Sequence, residues 1–150
     1  MKRALQVRRA GEWHSDAIDR VVLGADERHR RRVVMTGERG TRFLLDLPQA
    51  TILRDGDGLV LDDGLIVRVV GKPEALLEIT ATAPRELTRL AWHIGNRHTE
   101  VQVGADWLRI RDDPVLSDML VGLGAQMRRL DAPFEPERGA YSHGHDHDER

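Results

Sequence analysis

The sequence predicts an α+β protein: a small antiparallel β-barrel or sandwich over residues 1–72, a ferredoxin-like βαββαβ domain over residues 73–138, and a disordered His-rich tail over residues 139–150. Three observations predict it. Before residue 72, brief Val-, Leu- and Ile-rich runs alternate with Asp-Gly turns at the spacing of roughly 8–12 residues that marks small all-β domains. After Pro73 the pattern runs strand, helix, strand, strand, helix, strand, which is the split βαβ order. Beyond Arg138 the apolar period stops and the composition is that of a solvated segment.

In the first domain the expected strands are Ala4 to Val7, Ile18 to Leu23, Arg32 to Met35, Arg42 to Leu47, Gly58 to Leu61 and Leu65 to Val70. Gly37 to Gly40, Asp55-Gly56-Asp57-Gly58 and Asp62-Asp63-Gly64 separate them, because Asp-Gly pairs tolerate positive φ and close tight hairpins. Pro48 cannot donate to a ladder and is expected in a loop.

The second domain opens with an alternating strand over Glu74 to Thr82. Pro84 suits the first turn of a helix, and Leu87, Leu90, Ala91 and Ile94 give that helix a buried stripe. Gly95-Asn96 is its expected end, since both residues tolerate the left-handed conformation. Thr99 to Val103 and Trp107 to Ile110 read as two strands around Gly104-Ala105-Asp106. A second helix starts at the N-cap Asp113 with Pro114 behind it. Leu116, Met119, Leu120, Leu123, Met127 and Leu130 mark its face, with Arg128 and Arg129 near the negative end of the dipole. Phe134 anchors a last strand.

Composition excludes several function classes. With no cysteine there is no disulfide, zinc finger, thiolate site or Cys nucleophile. A net charge of −2 speaks against a nucleic-acid-binding body. A membrane span needs about 20 mostly apolar residues, and runs such as Leu65-Ile66-Val67 are far shorter. The N-terminus lacks an apolar h-region and a small-residue cleavage site, so the expected location is cytoplasmic. HExxH, GxSxG and Walker patterns are missing, and Asp55/Asp57, Asp62-Asp63 and Asp112-Asp113 sit at turns or caps where Asp is expected for local bonding. An enzyme is therefore the least favoured reading.

Metal chemistry is the most favoured. Three of the seven histidines, His143, His145 and His147, alternate with acidic residues in the tail. Neutral imidazole suits nickel, copper and zinc, and a flexible His-rich tract can wrap two or three nitrogens around one ion. His98 is the second candidate. If the first helix continued, Leu87, Ala91, Ile94 and His98 would share a face, and spacing alone favours a core or interface histidine. In a two-fold dimer the residue would meet its own copy. His93 is expected to be solvated beside Arg89 and Arg97, and His14 and His29 receive no role. Arg28-His29-Arg30-Arg31-Arg32 could meet nucleic acid or an acidic partner, but Asp26 and Glu27 precede it and a solvated start of a strand is the simpler account.

Trp92-His93-Ile94-Gly95-Asn96-Arg97-His98, followed by Val101-Gln102, resembles the signature helix end of the UreE family of urease accessory nickel metallochaperones. Leu53-Arg54-Asp55-Gly56-Asp57 and Asp62-Asp63-Gly64 resemble its N-terminal domain. Asp113 through Leu123, Pro133-Phe134-Glu135-Pro136-Glu137, Gly139-Ala140-Tyr141 and the His-rich end resemble its C-terminal domain. The resemblance implies a β-rich domain for partner docking and a ferredoxin-like domain that dimerises head to head. It also implies that His98 is the nickel ligand at the homodimer interface, and that Ni2+ is carried to the urease apoprotein complex together with the accessory GTPase. Some relatives carry further histidines before the second helix; Arg109 to Pro114 has none, so no secondary surface site is carried over. Two rival readings remain: a Zn2+- or Cu2+-sequestering buffer without a client, and an RNA- or ribosome-binding barrel using Arg28 to Arg32.

Overall fold

The structure, a computed structural model, describes residues 1–138, which divide into two compact units, Met1–Lys72 and Pro73–Arg138. His143, His145 and His147 lie outside the described residues.

The first unit is a six-stranded sheet made of β1 (Lys2–Arg8), β2 (Asp19–Leu23), β3 (His29–Thr36), β4 (Arg42–Ile52), β5 (Gly58–Leu61) and β6 (Ile66–Gly71), in the order β2-β6-β5-β1-β4-β3. The sheet is mixed rather than purely antiparallel: β1 runs parallel to β4 and β2 parallel to β6. Alternate residues face one core, where Ala4, Val21, Met35, Phe43, Leu45, Leu59, Leu61, Val67 and Val69 are all buried. The β5–β6 hairpin turns at Gly64, whose φ of +85° is the left-handed value that glycine adopts without penalty.

Asp19 binds the β3–β4 turn to β2. Its buried carboxylate accepts N–H bonds from Arg20 at 2.7 Å, Arg39 at 2.9 Å and Thr41 at 3.0 Å. Burial alone would raise its pKa, but the amides of Arg39, Arg20 and Thr41 and the Thr41 hydroxyl outweigh it and hold the group at about 2.

Pro48 lies inside β4 and not in a loop. The β3–β4 register slips there: Arg32 faces Asp46 while Arg30 faces Thr51, leaving residues 47–50 opposite Arg31 alone. Such a bulge accepts a proline because its missing N–H removes no ladder bond.

The second unit contains β7 (Pro73–Thr80), α1 (Pro84–Gly95), β8 (Gln102–Val103), β9 (Leu108–Arg111), α2 (Pro114–Gly122) and β10 (Gln126–Pro133). The sheet order β10-β7-β9-β8 with every neighbour antiparallel is the ferredoxin-like arrangement. Leu77, Ile79, Leu108 and Ile110 from the sheet meet Leu90, Ile94, Leu116 and Leu120 from the helices in one core. Asp113 caps α2 by accepting from the amides of Val115 at 2.9 Å and Leu116 at 3.2 Å.

α2 is shorter than its apolar spacing suggests. It stops at Gly122, and Gly124 at φ +87° turns the chain out of the helix. Gln126–Pro133, which carries Met127 to Leu130, is then a strand paired along all eight residues of β7. Met127 still packs against the helical core, because it points to the covered face of the sheet.

On the opposite face Glu78 is held by Arg109 at 2.9 Å and Arg128 at 2.6 Å. The Arg128 bond, with Arg109 in support, keeps its carboxyl below the usual range despite burial. Phe134 follows β10, fully buried, with the Arg111 guanidinium 4.8 Å above its ring. The chain then crosses from the β10 edge to the β8 edge, where the Glu135 amide donates to the Gln102 side-chain Oε1 at 3.0 Å and the Glu137 amide to the Val101 backbone carbonyl at 2.7 Å. Residues 134–137 thus form a strap.

Candidate metal centre

α1 does not continue to His98. The Asn96 amide still reaches the Trp92 carbonyl at 2.9 Å, but Arg97 bonds back to Ile94 at 3.1 Å and His98 to Gly95 at 3.0 Å, tightening the chain into a final turn. The expected left-handed stop at Gly95-Asn96 is displaced. Asn96 keeps a right-handed φ of −66°, and His98 has the one positive φ, +56°, among non-glycine residues of the described chain. Its side chain therefore leaves the apolar stripe of Leu87, Ala91 and Ile94 and is exposed to solvent. An imidazole in this setting is open to a ligand and is not a satisfied core group.

Both helices of this unit carry exposed apolar side chains. Trp92, one turn before Asn96, is 64% exposed and packs edge-on against His93, ring centres 5.0 Å apart. Val115 and Val121 of α2 are 69% and 61% exposed. The Arg97 guanidinium turns to α2 and donates from Nε to the Met119 thioether sulfur at 2.9 Å. Local sequence carries no signal of that contact, because the two residues are 22 positions apart.

The strap brings the end of the described chain to the same neighbourhood. Glu137 is bonded to Val101, three residues after His98, so the segment carrying the tail histidines departs beside the segment carrying His98. Gln102 and Phe134 position that departure, and neither stands out in the sequence as more than a strand residue and an apolar anchor.

The other sequence candidates separate. His14 is exposed, His29 is half-buried at the start of β3, and the described residues hold no group of three or more His, Asp or Glu side chains able to bind a metal together. Asp57 is buried and accepts from Arg9 at 2.6 Å and from the amides of Ala10 and Arg54 at 3.1 and 2.8 Å. Asp55 accepts from the Gly71 amide, and Asp63 from the Leu65 amide and Lys2. These carboxylates hold turns. The basic run is also not a uniformly solvated strand start, because Arg28 is only 2% exposed.

Comparison with known proteins fits this arrangement of two units. The family description "UreE urease accessory protein, N-terminal domain" matches residues 2–71, and "UreE urease accessory protein, C-terminal domain" matches residues 74–150. The chain belongs to the UreE urease accessory protein family. A Urease accessory protein UreE of Rhodopseudomonas palustris (strain HaA2) is 54% identical over 146 residues, covering 97% of this chain and 68% of its own length. Namesakes from Bradyrhizobium sp. (strain BTAi1) and Beijerinckia indica are 53% identical over 152 residues and 51% over 148, covering 99% and 98% of this chain and 74% and 86% of their own lengths. UreE is an accessory family, not a catalytic one, and the Asp pairs need no reactive role. No described helix is long and apolar enough to cross a membrane.

Proposed function

We propose that this UreE chain is a cytoplasmic nickel metallochaperone. It binds Ni2+ through His98 and the tail histidines His143, His145 and His147 and delivers it to the urease apoprotein complex with the accessory GTPase. The observation that carries the reading is the exposed His98 on its left-handed backbone, next to the point where the tail departs. His143 follows Arg138 by five residues, a stretch of at most about 17 Å of extended chain, so tail imidazoles reach the His98 neighbourhood.

In a homodimer built around the second unit, two His98 rings share one ion and the tails supply further nitrogens. Such a site exchanges readily: a recipient's donors enter as tail ligands leave. The first unit serves partner docking. Imidazole sites bind Cu2+ more tightly than Ni2+, and Zn2+ competes, so selectivity rests on metal supply and on the recipient. Imidazole ligates only when neutral, so nickel affinity falls on acidification.

Calorimetric nickel titration of the full chain, His98→Ala and a chain ending at Tyr141, with solution mass, tests the proposal. His98→Ala loses the tight event, and the shortened chain stays dimeric with lower affinity or stoichiometry. Wild-type binding by His98→Ala overturns the role of His98, and unchanged binding by the shortened chain overturns that of the tail.

A further inference from the structure

We propose that Arg97 and Met119 form a clamp that positions His98 for metal binding, with Met119 as the anchor and Arg97 as the arm. The inference rests on the reading of His98 as a metal ligand and adds residues that touch no metal.

A non-glycine residue is disfavoured in the left-handed conformation by about 5- to 30-fold relative to the right-handed one. Something must hold His98 there. The amides of Asn96, Arg97 and His98 are anchored to the last turn of α1, but these bonds fix the chain only up to the nitrogen of residue 98. The next anchor is Val101, through the strap. On the N-terminal side of that gap, the residue directly before His98 carries a side-chain tie to α2, the Arg97 bond to Met119.

That contact is unusual for a stabilising device. A thioether is a weak acceptor, and Arg97 is exposed. The α1–α2 packing is already supplied by Leu90, Ile94, Leu116 and Leu120, all buried. The bond is well suited to a geometric task, however. Met119 is half-buried against that core and therefore fixed, while the neutral sulfur holds the guanidinium without placing a carboxylate beside the imidazole. A carboxylate there would compete for the cation's attention or join its ligands. The clamp thus orients the turn while leaving His98 as the donor.

Loss of the clamp lets residue 98 relax toward right-handed backbone, and apparent metal affinity falls with the fraction of competent molecules, about two- to fivefold for a weak, exposed contact. The test is nickel calorimetry on the full chain with Met119→Leu, which keeps volume and removes the acceptor, and Met119→Gln, which restores one. Both are made with and without His98→Ala, and backbone chemical shifts of residue 98 are read in parallel. Expected results are weaker nickel binding by Met119→Leu at an unchanged thermal midpoint, recovery in Met119→Gln, no further loss when His98 is already alanine, and shifts that move away from left-handed values in Met119→Leu. Wild-type affinity in Met119→Leu, or an equal loss in the His98→Ala background, overturns the clamp. If His98→Ala alone binds nickel normally, the ligand reading fails instead. Unchanged shifts at residue 98 in Met119→Leu then refute the clamp independently of metal.

Discussion

Replacing Asp19 with asparagine removes the buried carboxylate that joins β2 to the β3–β4 turn. With a folded pKa of about 2 against an ordinary value of 3.8, the ionised group contributes roughly 2 kcal/mol of stability at neutral pH. The folded pKa is the depressed one, so this contribution is complete above about pH 4 and is lost as pH falls toward 2. Asparagine offers one acceptor oxygen where the carboxylate uses both, bonded to three amides. Its NH2 group must then face at least one buried N–H, raising the expected cost to about 3 kcal/mol. Gly37 shows how closely this site is packed, since a Cβ there would run into the Asp19 carboxylate. Urea unfolding followed by circular dichroism, at one protein concentration and at several pH values, measures both effects. Wild type should lose about 2 kcal/mol more than Asp19→Asn between pH 4 and 2, because the other low-pKa carboxylates are common to both and cancel. Equal acid losses, or a neutral-pH cost below about 1 kcal/mol, would refute the reasoning.

Other outcomes follow from the same geometry. Glu78→Gln weakens the bonds to Arg109 and Arg128, lowers stability by about 2 kcal/mol at neutral pH and flattens the acid limb of the stability profile, because Glu78 also has a depressed pKa. Denaturant midpoints at pH 7 and in mild acid check it. Gly95→Ala should stabilise the isolated fold by up to about 1 kcal/mol, since residue 95 lies in α1 and a Cβ there meets nothing within 4 Å. The chain itself gives no reason for glycine at that position, so a thermal melt combined with the mass in solution shows whether a second subunit needs the bare backbone. Gln102→Ala frees the Glu135 amide and loosens the strap. Nickel affinity of the full chain should fall toward that of the chain ending at Tyr141, and calorimetry on the two compares them directly.

Where local chemistry dominates, sequence and structure coincide. Asp113 and Pro114 start α2 because a cap and a preset φ act within one turn. The Asp-Gly turn at Gly64 forms because glycine alone reaches that backbone cheaply. The stretch from Met127 to Leu130 shows the opposite case. Its apolar spacing fits one more turn and a half of helix, yet eight residues of unpaired β7 edge and the left-handed Gly124 make it a strand. Pro48 stays in β4 because a bulge, which depends on the partner strand, absorbs it. His98 follows the same rule. Its spacing from Ile94 suggests a helical face, but the chain has already left the helix, and the imidazole points into solvent.

By itself the sequence determined the α+β class, the βαββαβ order of the second unit, the missing thiol chemistry and the family, since these rest on composition, short-range periodicity and a motif that survives in one dimension. Tertiary structure decided the parallel pairings of the first sheet, the short α2, the left-handed turn at His98, the Arg97–Met119 contact and the strap that brings Glu137 to Val101. Apart from the turn at His98, each of those depends on residues far apart in the chain, and a pairing energy between distant segments leaves no trace in the local pattern of either one.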